Sequence, residues 1–172
     1  MSTFTERLAA ARLEGSTVTA SQDEGPLDAS AAYAMQAEVF KHLGSASNAW
    51  KVGSTSPESQ AKLGTTGPGA ARVPARFNFA SSVPVPVFTA HDLWVEGEFA
   101  LRLGKDLPAR DREYSRDEII DAIDGVAPAL EVVGSRLAEG IAKGGRFRVT
   151  ADGGANVSLT TGAVIEDWRQ FD

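Results

Sequence analysis

The run WVEGEFALRL, residues 94–103, decides how this chain is to be read. Its aromatic and branched residues predict a β-strand, and successive side chains on a strand point to opposite faces. Glu96 and Glu98 therefore share one face, while Val95, Phe99, Leu101 and Leu103 share the other. The apolar face is expected in the core, which leaves the acidic face to water or to a site.

Working outward, SSVPVPVF (81–88) predicts an edge-like strand interrupted by prolines. Ser115 and Glu118 have capping-box spacing, so a short helix through Ile119, Ala122 and Ile123 is expected, ended by Gly125. VAPALEVV (126–133) predicts another strand, followed by a glycine-punctuated region up to ADGGANVSLTTGAVI (151–165). Upstream, Thr3 and Glu6 cap a first helix that stops at Gly15. Asp28 caps a second, whose Ala32, Met35, Val39 and Leu43 form one stripe ended by Gly44. AWKVGSTS (49–56) predicts a short strand running into a loop. Ser56 and Pro57 start a helix closed by Gly64, and GTTGPGAARVPARF (64–77) predicts a mobile loop. A helical front of about 1–46 and a strand-rich part of about 47–172 make one α+β domain rather than a regular βαβ winding.

The bulk composition excludes several functions. With 172 residues, 42% of them hydrophobic, the chain can bury a sizeable core. Its 17 basic residues are scattered among 23 acidic ones, which gives no footprint for nucleic acid or an anionic membrane. The absence of cysteine rules out disulfides, thiol nucleophiles and zinc–thiolate or iron–sulfur centres. No apolar run suits a signal peptide or a membrane span, so a cytoplasmic protein is expected.

Glu-x-Glu on a strand is common on a solvated face, so spacing alone favours water. Glu131 adds weight to the other reading: it sits among apolar neighbours in APALEVVG, where an ionised carboxylate would cost several kcal/mol (roughly, after relaxation) unless paired or metal-bound. Three carboxylates suit a hard cation such as Mg²⁺ or Mn²⁺. A salt bridge from Glu131 to Arg136 or another arginine is the alternative, and the residues alone leave both open. Lys51, between Trp50 and Val52, has a packed stem whose ammonium needs a carboxylate or an anion, or else snorkels to water. Ser54 and Thr55 could donate hydrogen bonds to a substrate carboxylate, or serve only the turn before the helix. His42 and His91 are expected as surface or capping residues.

AAYAMQ (31–36), AWKVGSTSPESQAKLG (49–64), VEGEFALRLGKDLP (95–108), APALEVVGSR (127–136) and ADGGAN (151–156) occur in that order. The set resembles the motifs of the 2-oxopent-4-enoate hydratase and 4-oxalocrotonate decarboxylase family, within the fumarylacetoacetate hydrolase superfamily. The resemblance runs from about Asp28 to the last residue. It implies a mixed β-roll and a divalent metal, Mg²⁺ or Mn²⁺, on Glu96, Glu98 and Glu131. It also implies an active-site lysine at Lys51 and small 2-oxo or 2-hydroxydienoic acids as substrates; Asp152, kept within ADGGAN, joins Ser54 and Thr55 as a candidate substrate contact. The implied activity is a hydratase, with a 2-oxo diacid decarboxylase as runner-up and a non-catalytic partner subunit as the reading from another class. A homo-oligomer, or assembly with a related subunit, is implied as well. The sequence departs from the family in several ways, two of which bear on the site and the fold. The loop 64–74 has no acid where the family places one in a Pro-Asp context, and family chains continue beyond the point where this one stops. The β-roll is therefore expected to lack its C-terminal strands, most simply because the chain is a truncated one.

Overall fold

The computed structural model describes residues 2–21 and 23–171. Helix α1 (Phe4–Glu14) begins at a complete Thr3–Glu6 capping box and ends on Gly15, whose φ of 78° is the left-handed conformation that glycine adopts at least cost. Helix α2 (Ala29–His42) is capped by the Asp28 side chain. Ala32, Val39 and Leu43 of its stripe are buried, and the last two join Phe4, Leu8, Ala11, Val18 and Leu137 in the main apolar core.

Strand β1 (Ser47–Gly53) pairs antiparallel with β2 (Gly69–Pro74), and the capped helix α3 (Pro57–Leu63) joins them. The segment expected as a mobile loop is thus partly strand: Ala71 and Val73 are buried, and burial of these small apolar residues outweighs the glycine and proline signals around them. The proline-broken strand expected over 81–88 is not formed. Strand β3 (Asn78–Ala80) lies just before it.

A four-stranded sheet completes the fold, in the order β3, β6 (Asn156–Thr161), β5 (Ile123–Val133), β4 (Trp94–Leu103). β3 runs parallel to β6, and the other neighbours are antiparallel. Helix α4 (Arg116–Ala122) starts at the Ser115–Glu118 capping box and passes directly into β5, ending before Gly125. The glycine-punctuated region contains the short helices α5 (Gly140–Gly144) and α6 (Arg146–Ala151), and α6 packs on α2.

The strand 94–103 forms as expected, but its apolar face is not buried: every residue of the strand except the half-buried Ala100 is exposed. On β5 the side bearing Ile123, Ala127, Ala129, Glu131 and Val133 is buried, and the register places Glu96 and Glu98 on that same side. The apolar face of β4 is open, with Phe99 at 84% exposure and Val95 at 66%, next to Leu130 of β5. β4 lies at the edge of this sheet. Among the described residues, no helix is long and apolar enough to cross a membrane.

Candidate metal centre

The β4–β5 register sets Glu96 directly opposite Glu131, and Glu98 lies two residues along on the same face. Cross-strand partners of this kind hold their Cβ atoms about 5 Å apart, close enough for carboxylates to meet. One oxygen from each of Glu96, Glu98 and Glu131 lies within 4.8 Å of the others. Glu96 and Glu98 are exposed, whereas Glu131 is 4% exposed at the base of the cluster.

Glu131 does not pair with Arg136. Its Oε1 accepts a hydrogen bond from Asn156 Nδ2 at 2.9 Å and lies 3.8 Å from Lys51 Nζ. Burial pushes its carboxyl above the ordinary glutamate value, opposed by the Lys51 charge and the Asn156 bond and reinforced by Glu96 and Glu98. Three carboxylates gather where, among the described residues, Lys51 is the one cation paired with any of them, and the buried one is held uncomfortably as an anion. That imbalance is what a divalent cation would relieve. The donors are all oxygen, two of them are open to solvent, and they are close enough for small side-chain rotations to bring them onto one ion, so the residues fit a hard cation.

Lys51 reaches the cluster from the other sheet. Its Nζ donates to the carbonyl of Gly154 at 2.8 Å, and only 15% of its side chain is exposed. The acceptor belongs to an unusual turn in which Gly153, Gly154 and Ala155 have φ of 74°, 64° and 65° in succession. Left-handed backbone is nearly free for the two glycines and costly for Ala155, so the ADGGAN motif encodes a backbone shape. That shape aims a peptide oxygen at Lys51.

Asp152 lies elsewhere. It is 2% exposed, and its carboxylate is taken up by Arg136 Nε at 2.7 Å, the Arg136 backbone N–H at 2.9 Å and Ser135 Oγ at 3.2 Å. The structure thus gives Asp152 to a fully buried arginine, not to the space in front of the glutamates. Ser54 stands at the end of β1 with φ of 56°, and its carbonyl accepts from Gln60 Nε2 at 2.9 Å. The Ser54 and Thr55 hydroxyls make no hydrogen bond among the described residues, which leaves them available at the turn three residues beyond Lys51. His91 is buried instead of on the surface: one ring nitrogen lies 2.9 Å from the Ser16 carbonyl, and burial, aided by the Arg136 charge, lowers its pKa. His42 lies 3.9 Å from Glu38 on α2.

Sequence reasoning missed Asn156 and Arg12. Arg12 of α1 is buried, donates from Nη2 to Asn156 Oδ1 at 2.7 Å and to the Val157 carbonyl at 3.0 Å, and stacks on Phe77. A buried position on the first helix was visible in its apolar pattern, but nothing local marked an arginine there as a partner of residue 156. A cavity of about 260 Å³ lined by Arg12, Phe40, Trp50 and Arg72 includes none of the three glutamates.

The chain is similar to several known proteins. It is 35% identical over 89 residues to a 2-keto-4-pentenoate hydratase of Paraburkholderia xenovorans (strain LB400), covering 52% of this chain and 32% of that protein. To a 2-keto-4-pentenoate hydratase of Burkholderia vietnamiensis it is 33% identical over 135 residues, covering 76% of this chain and 51% of that protein. The chain spans about half the length, or less, of the curated relatives it matches. Among solved structures, the 4-oxalocrotonate decarboxylase from Pseudomonas putida G7, complexed with magnesium and adipate, superposes with a TM-score of 0.76 at 22% identity. The match covers 96% of this chain and 63% of that one, and shows a common fold. No family model matches the chain.

Proposed function

We propose that this chain is a member of the 2-oxopent-4-enoate hydratase and 4-oxalocrotonate decarboxylase family, as its 33–35% identity to 2-keto-4-pentenoate hydratases supports, and that it serves as a divalent-metal-dependent hydratase. The reaction would add water to a short 2-hydroxydienoic acid, giving a 4-hydroxy-2-oxo acid. The observation that carries the proposal is the meeting of Glu96, Glu98 and Glu131 on one sheet face with Lys51 beside them. The sequence relatives named as hydratases favour this reaction over decarboxylation.

In this reading Glu96, Glu98 and Glu131 hold Mg²⁺ or Mn²⁺; the P. putida G7 decarboxylase was solved with magnesium and, separately, with calcium. When bound, the cation supplies fixed positive charge that favours build-up of negative charge on the 2-oxygen of a chelating 2-oxo acid. Lys51, held by the Gly154 carbonyl, offsets the substrate carboxylate and passes protons through its ammonium. The free hydroxyls of Ser54 and Thr55 donate to the same carboxylate. Asp152 contributes indirectly, by fixing Arg136 and the turn that follows it. The proposal extends to a cytoplasmic enzyme working as a homo-oligomer or with a related subunit.

The test is the ultraviolet absorbance of 2-hydroxypenta-2,4-dienoate. The absorbance should fall with the protein only when Mg²⁺ or Mn²⁺ is present, and should persist with Glu131→Gln. Persistent absorbance with the metal-loaded wild type refutes the hydratase. Release of CO₂ from a 4-oxalocrotonate-type diacid would then identify a decarboxylase. Silence in both assays, without cation uptake in calorimetry, would identify a non-catalytic partner subunit.

A further inference from the structure

Glu131 does not set its own orientation. Its Oε1 is held by Asn156 Nδ2 at 2.9 Å, and Asn156 is completely buried. An asparagine amide presents an oxygen on one side and a nitrogen on the other, and only its surroundings decide which way round it sits. Here the decision is forced, because Arg12 Nη2 meets the other end of the amide at 2.7 Å, and an arginine can only donate. Oδ1 must face Arg12, so Nδ2 must face Glu131. Arg12 is itself fixed by the Val157 carbonyl and by stacking on Phe77, 4.5 Å from the ring centroid. Glu131 Oε2 accepts no hydrogen bond among the described residues, so they engage only one of its carboxylate oxygens.

We propose that Asn156, oriented by Arg12 of the first helix, is a positioning residue that fixes the Glu131 carboxylate for a divalent cation. The inference rests on the reading of Glu96, Glu98 and Glu131 as a metal centre. It adds a cause for the precision of that centre, and it gives the N-terminal helix a part in it across 144 positions of sequence. Hydrogen bonds behind metal ligands are worth about 10–100-fold in affinity when removed.

The experiment measures Mn²⁺ affinity by electron paramagnetic resonance, with near-ultraviolet circular dichroism to establish folding. Asn156→Leu removes the donor at similar volume, and about a tenfold or greater loss of Mn²⁺ affinity in folded protein is expected. Arg12→Met, which frees the amide to turn over, should also weaken binding. Arg12→Lys, which still donates to Oδ1, should restore most of it. A purely structural role would lower the thermal midpoint and leave the affinity of the folded fraction unchanged.

If the wild type binds Mn²⁺, Glu131→Gln loses it and Asn156→Leu keeps wild-type affinity, the inference is overturned and the metal centre stands. If the wild type takes up no Mn²⁺, both are overturned. Should the Asn156 and Arg12 variants fail to fold, a Mg²⁺ titration of ¹⁵N-labelled wild type decides. The Asn156 side-chain amide signal must move with the binding midpoint, and a stationary signal overturns the proposal.

Discussion

Replacing Asp152 with Asn should destabilise this protein more than any substitution in the carboxylate cluster. The change keeps the shape and removes one charge from a pair whose side chains are 2% and 0% exposed. Arg136 would keep its bond to the Asn156 carbonyl at 3.0 Å, but its guanidinium would lose the carboxylate at 2.7 Å and stand unpaired in the interior. The new amide would also turn a donor toward at least one of the Arg136 Nε, Arg136 backbone N–H and Ser135 Oγ donors that now converge on the carboxylate. Breaking a buried pair from one side costs about 3–5 kcal/mol. In a chain of this length each kcal/mol moves the thermal midpoint by about 2–4 °C, so a fall of roughly 6–20 °C is expected. Urea unfolding and a thermal scan, both without added metal, measure it. The paired change Asp152→Asn with Arg136→Met should recover part of the loss, since it removes the stranded charge. An Asp152→Asn protein within about 1 kcal/mol of wild type would refute the reasoning. A raised KM at unchanged stability would return Asp152 to the substrate.

Acid should weaken the fold through His91. Burial holds its pKa below the ordinary histidine value, so the native state binds fewer protons than the unfolded chain. Its contribution is complete above the unfolded pKa of about 6.5 and is lost as pH falls toward the lowered folded value. Urea midpoints from pH 8 to pH 5 should decline, and His91→Gln should flatten that decline; equal slopes would refute it. On the open face of β4, Phe99→Lys should change stability by no more than about 0.5 kcal/mol while reducing concentration-dependent association in sedimentation velocity. A larger destabilisation would mean that the face is covered.

Local signals read well from the sequence. Both capping boxes, the Asp28 cap and the apolar stripe of α2 depend on residues within a turn or two of each other, and each formed as spelled. The alternation of 94–103 gave the strand and the shared side of Glu96 and Glu98, and the apolar neighbours of Glu131 announced its burial. Which side of the sheet would be covered was not legible, because alternation says that two faces differ and not what packs on either. β2 and β6 were hidden by glycine-rich surroundings, their pairing being supplied by distant strands. The Arg136 pair went to Asp152 instead of Glu131, and the Arg12–Asn156 contact joins opposite ends of the chain; side-chain chemistry limits such partners but topology selects them.

The three left-handed residues at 153–155 carry a consequence for how this protein can be altered. The atom they offer to Lys51 belongs to the main chain, so no exchange of amino acids can remove it in the way that a side chain is deleted. Only a change in the path of the turn, such as a lost or added residue, or a bulky replacement of Gly154 that drives φ negative, would withdraw the oxygen. The reach and freedom of the lysine are therefore adjusted by the handedness of a short loop, a quantity that scanning mutagenesis to alanine samples only by accident.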